Sequence, residues 1–306
     1  MLRDATDRYI ALRRTLGYKL VKTERHLRAY SDFAADRGEI HIRAATVLRW
    51  LETVAGTPNT RARRMSEIIL FARFLHAEDS HHEIPRTNAT RYLESRPVPY
   101  IYTPDEIARI LDAAGSLRHQ KPNPLRPQLY VMLFGLIAAT GLRVSEALGL
   151  KLDDIQPGGV LHIRETKFRK SRLVPLHATV VEALDRYLAL RRRHASESPW
   201  LFTSVHHREM CHTTVNYTFR CVLRRARIAP ERRRQPRIHD LRHTFATRVL
   251  EQCGAERRAV ARHFVALSTY LGHVDVRNTY WYLETTPGLM ADIAAAAEMM
   301  VGESAA

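Results

Sequence analysis

The sequence predicts a mainly α-helical protein, with an N-terminal helical bundle followed by an α+β domain that carries a small β-hairpin or sheet. Three observations lead there. Apolar residues recur at helical spacing through the first 77 residues, with glycines punctuating the runs. That periodicity then breaks down over a proline-bearing stretch. Beyond it, helical runs resume and are interrupted at Gly158–Leu176 by a two-residue alternation. A chain of 306 residues has room for two ordinary cores. The expected division is a helical domain at 1–80, a linker at 81–102 and a second domain at 103–306.

The N-terminal domain is expected to hold four helices. Leu2, Ala5, Tyr9, Leu12 and Leu16 share a face of the first, and Gly17 follows as a stop. Leu27, Tyr30 and Ala34 repeat the pattern up to Gly38. Val47, Leu48, Trp50, Leu51 and Val54 form the third set; Met65, Ile68, Ile69, Ala72 and Leu75 form the fourth. Short connections between such helices imply a small antiparallel bundle. Arg61, Arg63 and Arg64 open the fourth helix. Singly each reads as part of a solvated face; together, on a basic chain, they suit phosphate contacts. In the linker, His81-His82 invites a metal reading, but no further ligand stands at usable spacing, so it reads as solvated.

In the second domain, Thr103-Pro104-Asp105-Glu106 is a helix start, with a capping hydroxyl, a proline in the first turn and acids at the positive end of the dipole. Pro127–Thr140 is apolar nearly all round and should be buried centrally, ending at Gly141. Arg143 follows, at the edge of Val144-Ser145-Glu146-Ala147-Leu148. A charged side chain there needs an anionic partner. Its spacing leaves two options open: a structural pair with Glu146 or Asp153, or an arginine aimed at a phosphate with Glu146 holding the local geometry. In the hairpin, Leu161 and Ile163 alternate with Val160 and His162, and Leu173, Val174 and Leu176 return. Lys167, Arg169 and Lys170 lie at its tip, where plain solvation is the usual role and groove entry the functional one. Helices at Ala178–Arg193 and Thr214–Ala226 follow, then a run of arginines from Arg224 to Arg237 of the kind found in mobile loops on polyanions.

Lys+Arg outnumber Asp+Glu by 48 to 32, a net charge of +16. That balance favours a polyanionic partner, nucleic acid before an anionic membrane surface. The longest uncharged apolar run, Pro127 to Leu142, falls short of the ~18 residues that a span needs, and the N-terminus lacks a signal core. Cys211, Cys221 and Cys253 show no CxxC spacing and are expected to be reduced, buried thiols of a cytoplasmic protein.

Candidate chemistry concentrates between Ile238 and Leu283. His239 and Arg242 are three apart and share a helical face. His273 follows the stop at Gly272, and Tyr280 and Tyr282 lie just beyond. With Arg143 and Lys167, the chain offers two arginines, a lysine, two histidines and a phenol. No acidic triplet at metal-site spacing and no GKS/GKT phosphate loop appear. What is left is phosphoryl transfer run by protein cations and a side-chain nucleophile, with neither metal nor cofactor. A phenol with an ordinary pKa near ~10 is about one part in a thousand ionised at neutral pH. It therefore needs a base or a strongly positive site.

These residues resemble the boxes of the tyrosine recombinases, the phage integrase family. Ala139-Thr140-Gly141-Leu142-Arg143-Val144-Ser145-Glu146 is similar to the first-arginine box, and Lys167 ahead of Arg172-Leu173-Val174-Pro175-Leu176 to the hairpin lysine. His239-Asp240-Leu241-Arg242-His243 resembles the His-x-x-Arg box and Leu271-Gly272-His273 the next. Tyr282 stands nine residues on, where the family keeps its nucleophile. Phe168 departs from the small residue common after the lysine, and Tyr280 offers a second phenol. The resemblance implies a core-binding, SAM-like helical domain that clamps double-stranded DNA with the catalytic domain. It implies catalysis by Arg143, Lys167, His239, Arg242, His273 and Tyr282, with Glu146 in support. It further implies a 3′-phosphotyrosyl intermediate, a tetrameric synaptic complex or partner recombinases, and a nucleoid-associated protein. The Thr279-Tyr280-Trp281-Tyr282-Leu283 ending looks most like transposon-borne members, so integration or transposition of a mobile element is the expected setting. Two rivals share the fold: a catalytically silent DNA-binding accessory protein and a type IB-like topoisomerase.

Overall fold

The computed structural model describes residues 2–86, 98–119, 123–164, 171–194, 198–228, 235–252 and 257–272. The chain divides into two units, Met1–Pro97 and Val98–Ala306.

The first unit is built on four helices: α1 (Leu2–Thr15), α2 (Val21–Ala35), α3 (Ala44–Thr53) and α4 (Pro58–Glu78). Their shared core includes Tyr9, Leu27, Tyr30, Trp50, Met65, Ile68 and Phe71. α4 starts where Thr57 caps the amide of Thr60 and Pro58 occupies the first turn. The buried face of α1 runs through Thr6 and Ile10, and Leu12 and Leu16 lie 47% and 66% exposed, contrary to the stripe drawn through them. Thr6 is accommodated because its hydroxyl bonds the Leu2 carbonyl and Ser31. The segment after α4 is not simply solvated. His82 is buried; its ring accepts the Ile42 amide at 3.1 Å and its carbonyl meets the His76 ring at 2.6 Å. His81 stays exposed, but it has close companions, Asp79 two residues back and His41 brought in by the fold. The Asp79 carboxylate bonds the His81 ring at 2.7 Å and the His41 ring at 3.1 Å, fastening the end of α4.

The second unit opens with α5 (Pro104–Gly115), which Thr103 caps as the sequence suggests, and Glu106 reaches back to the Thr103 amide to complete a capping box. α6 (Arg126–Thr140) is its central helix and buries Leu129, Leu133, Phe134, Leu136 and Ile137. Against it pack α7 (Val144–Leu148), α8 (Ala178–His194) and α10 (His239–Glu251), while α9 (His212–Arg225) packs on α5 and α7, and α11 (Arg257–Leu271) on α10. Three short antiparallel strands, β1 (Ile155–Gln156), β2 (Val160–Ile163) and β3 (Arg172–Pro175), pair in that order, with Leu161 opposite Val174. The hairpin thus gains a third strand that the alternation pattern did not announce. Arg191 is 1% exposed and donates to the carbonyls of Ser198, Trp200 and Leu201, so a buried charge holds the segment that follows α8. Cys211 is exposed at the start of α9, correcting the expectation of buried thiols. Among the described residues, no helix is long and apolar enough to cross a membrane.

α6 ends on Gly141 at φ +62°, the left-handed region that a Cβ disfavours. A Cβ there would lie 2.5 Å from Phe245 Cδ1 and 3.1 Å from Leu271 Cδ2. Gly141→Ala is therefore expected to cost about 2–4 kcal/mol, strain and overpacking together. A shift of the urea midpoint at unchanged slope would register it.

Candidate functional site

The site grows from that glycine stop. Two residues on, Arg143 sits at the N-cap of α7, where Glu146, three residues later, reaches back to its amide at 3.0 Å. The Arg143 guanidinium also donates to Glu146 Oε1 at 2.6 Å and to the Gly272 carbonyl at 3.2 Å. Of the two carboxylates proposed to pair with it, Glu146 is the one it meets. Arg242, on α10, is 1% exposed. Its two terminal nitrogens donate to the carbonyls of Gly141 at 2.6 Å and Leu271 at 2.7 Å, and one lies 4.0 Å from Glu146.

A third arginine joins them. Arg172 opens β3 and grips Glu146 with both terminal nitrogens, at 3.1 and 2.8 Å, while its Nε donates to the Tyr270 carbonyl at 2.7 Å. Three consecutive carbonyls at the C-terminal end of α11, those of Tyr270, Leu271 and Gly272, thus each receive one arginine, Arg172, Arg242 and Arg143 respectively. Such carbonyls lack helical partners and sit at the negative end of the helix dipole, so cations suit them. Burial would raise the Glu146 carboxyl, but the arginines prevail, Arg172 foremost, and hold it down at about 2. It is ionised at neutral pH, and among the described residues three guanidiniums gather around it.

His239, the first residue of α10, is partly buried, with its ring 4.8 Å from that of His243. Burial, then the charges of Arg242 and Arg237, push its pKa down to about 4. The neutral ring can accept a proton. Because the folded-state value lies below the ordinary one, stability falls as pH drops from about 6.5 towards 4. His239→Gln should therefore lose less melting temperature than the wild type between about pH 7 and about pH 5. Equal losses in the two proteins would refute this.

His239 and Arg143 line a cleft of about 460 Å³, with Ser145, His212, Arg220 and Arg237. Arg237 pairs with Asp240 at 2.9 Å, and Asp240 also accepts its amide at 2.7 Å, which sets the start of α10. Arg143, Glu146, His239 and Arg242 thus meet at one place. Lys167, Arg169, Lys170, His273 and Tyr282, like Tyr280, lie outside the described residues. In the first unit, Arg61 and Arg63 are exposed and Arg64 half-buried on α4.

Sequence reasoning passed over Arg172, although it opens the stretch Arg172-Leu173-Val174-Pro175-Leu176. The signal was its parity: on a strand it shares a face with Val174, which is fully buried, so its charge needed an anion. His212, Arg220 and the three carbonyls left no comparable mark.

Residues 101–288 match the phage integrase family. The integrase/recombinase y4rB of Sinorhizobium fredii is 38% identical over 298 residues, covering 95% of each chain. Tyrosine recombinase XerD of Caulobacter vibrioides is 31% identical over 78% of this chain and 74% of its own length. In fold, the chain resembles the Tn1549 transposon integrase in complex with transposon right end DNA, at TM-score 0.69 and 15% identity over 98% of this chain and 99% of that one. A lambda integrase dimer bound to a COC′ core site matches at TM-score 0.66 and 20% identity, over 93% and 77% of the two chains. The chain belongs to the phage integrase family, the tyrosine recombinases.

Proposed function

We propose that this protein is a site-specific DNA recombinase that cuts and rejoins strands through a 3′-phosphotyrosyl intermediate, in the integration or transposition of a mobile element. The observation that carries the reading is the cluster, among the described residues, of three guanidiniums around one buried carboxylate, with Arg143 and His239 lining the adjoining cleft. A scissile phosphodiester supplies an anion suited to this cluster. Arg143 and Arg242 offset the charge that builds on the pentavalent phosphorus. The Tyr282 oxygen attacks, the 5′-oxygen leaves with a proton from Lys167, and His239 accepts the phenolic proton. His273 hydrogen-bonds a nonbridging oxygen. One ester is exchanged for another, so resealing needs no nucleotide, and the proposed chemistry uses no metal. The helical unit, with Arg61, Arg63 and Arg64, shares in clamping the duplex, and Arg169 and Lys170 add phosphate contacts. Four protomers, or two kinds of recombinase, would exchange strands; a lambda integrase tetramer bound to a Holliday junction shares the fold. Such a protein would reside with the nucleoid.

The test is a nicked suicide duplex built on a site that the protein selects from a random-sequence pool. The wild type should become covalently joined to DNA on a denaturing gel, and Tyr282→Phe should not. An adduct that persists in Tyr282→Phe moves the nucleophile elsewhere, with Tyr280 next. No adduct from the wild type favours a DNA-binding accessory protein.

A further inference from the structure

The proposed chemistry gives no work to Arg172. We propose that Arg172 is a positioning residue for strand cleavage, which occupies Glu146 so that Arg143 stays turned towards the phosphate. This rests on the reading of the site as a cleavage centre.

An ionised carboxylate offers about four lone-pair sites. Those of Glu146 are filled by four donors: the Arg143 amide, Arg143 Nη1, and the two terminal nitrogens of Arg172. Arg172 thus takes half of the acceptor capacity. Without it, Glu146 is left buried with half its sites empty, and Arg143 is the nearest guanidinium able to fill them, since Arg242 stands off at 4.0 Å. Arg143 could then close on Glu146 with two nitrogens instead of one and withdraw from the incoming phosphate. The third contact of Arg172 adds a second constraint. By holding the Tyr270 carbonyl, it ties β3 to the same helix end that Arg143 and Arg242 grip. The fit is close: at Gly272, φ +66°, a Cβ would come within 3.0 Å of Arg172 Nη1. A lysine carries the charge but has no fork, so it cannot meet both carboxylate oxygens and the carbonyl together.

The experiment measures adduct formation on the suicide duplex under single-turnover conditions, with saturating protein, for Arg172→Gln, Arg172→Lys, Glu146→Gln and the double variant Glu146→Gln/Arg172→Gln. Folding is followed by thermal melting, and DNA affinity by half-saturation. Arg172→Gln should cleave up to about 100-fold more slowly, with half-saturation little changed, and Arg172→Lys should restore little of the loss. Because Arg172 acts through Glu146, its removal should cost much less in the Glu146→Gln background than in the wild type. Cleavage by Arg172→Gln within about twofold of the wild type overturns the proposal. So does full rescue by lysine, or an equal loss in both backgrounds. A merely structural role would lower the melting temperature and the fraction of active protein without that dependence on Glu146. A wild type that forms no adduct takes down the cleavage reading and this inference together. Where the wild type cleaves, the variants decide the role of Arg172 by themselves.

Discussion

Arg242→Ala should slow DNA cleavage by about 10²–10³-fold even when DNA is saturating, as expected on losing a donor that matters most in the transition state. The side chain has two duties. In the proposed function it carries charge to the phosphate, and its terminal nitrogens join the end of α6 at the Gly141 carbonyl to the end of α11 at Leu271. Alanine strands both carbonyls in a buried setting, each at about 1–3 kcal/mol, although removing one of three clustered cations offsets part of this. Arg242→Lys separates charge from geometry. An ammonium on a single stem cannot bridge the two carbonyls as the fork does, so its cleavage rate should fall nearly as far. Single-turnover adduct formation and urea unfolding check both statements; a lysine variant with the wild-type rate would contradict them.

Glu146→Ala should have the largest effect on stability, about 3–5 kcal/mol, because breaking a buried ion pair leaves uncompensated charge behind. Here the charge left is that of Arg143, Arg172 and Arg242, drawn together from the α6–α7 corner, β3 and α10. The same argument predicts rescue. Sulfate or phosphate should raise the melting temperature of Glu146→Ala more than that of the wild type, since an anion can take the vacated place. Equal responses to sulfate and to chloride, or an unshifted urea midpoint, would show that the arginines do not depend on this carboxylate. Held at about 2, the Glu146 carboxyl contributes stability that is present above its ordinary range and lost as pH falls towards that value.

Elements whose causes are local were legible beforehand. Thr103 caps α5 with Pro104 in the first turn, α6 is a central helix of the core, and Gly141 adopts the left-handed stop. Arg143, Glu146, His239 and Arg242 could be named because two short boxes carry them, and the fold brings them together. What escaped depends on contacts between distant segments. Leu12 and Leu16 look like core by spacing, but nothing in a sequence says where the partner surface ends. His82 is buried by hydrogen bonds to Ile42 and His76 that no periodicity encodes. β1 has two residues, too few to show an alternation. The part Arg172 plays came into view only once β3 was seen beside the end of α11.

All three arginines engage main-chain carbonyls at the end of α11 and the residue after it, whichever side chains stand at those positions. Exchanging the side chain of Tyr270 leaves its carbonyl where Arg172 finds it. A change in length is another matter. One residue inserted in α11 turns everything after it by about 100° about the helix axis, and all three carbonyls swing off their guanidiniums at once. The helix can drift in composition, then, while its residue count is held fixed.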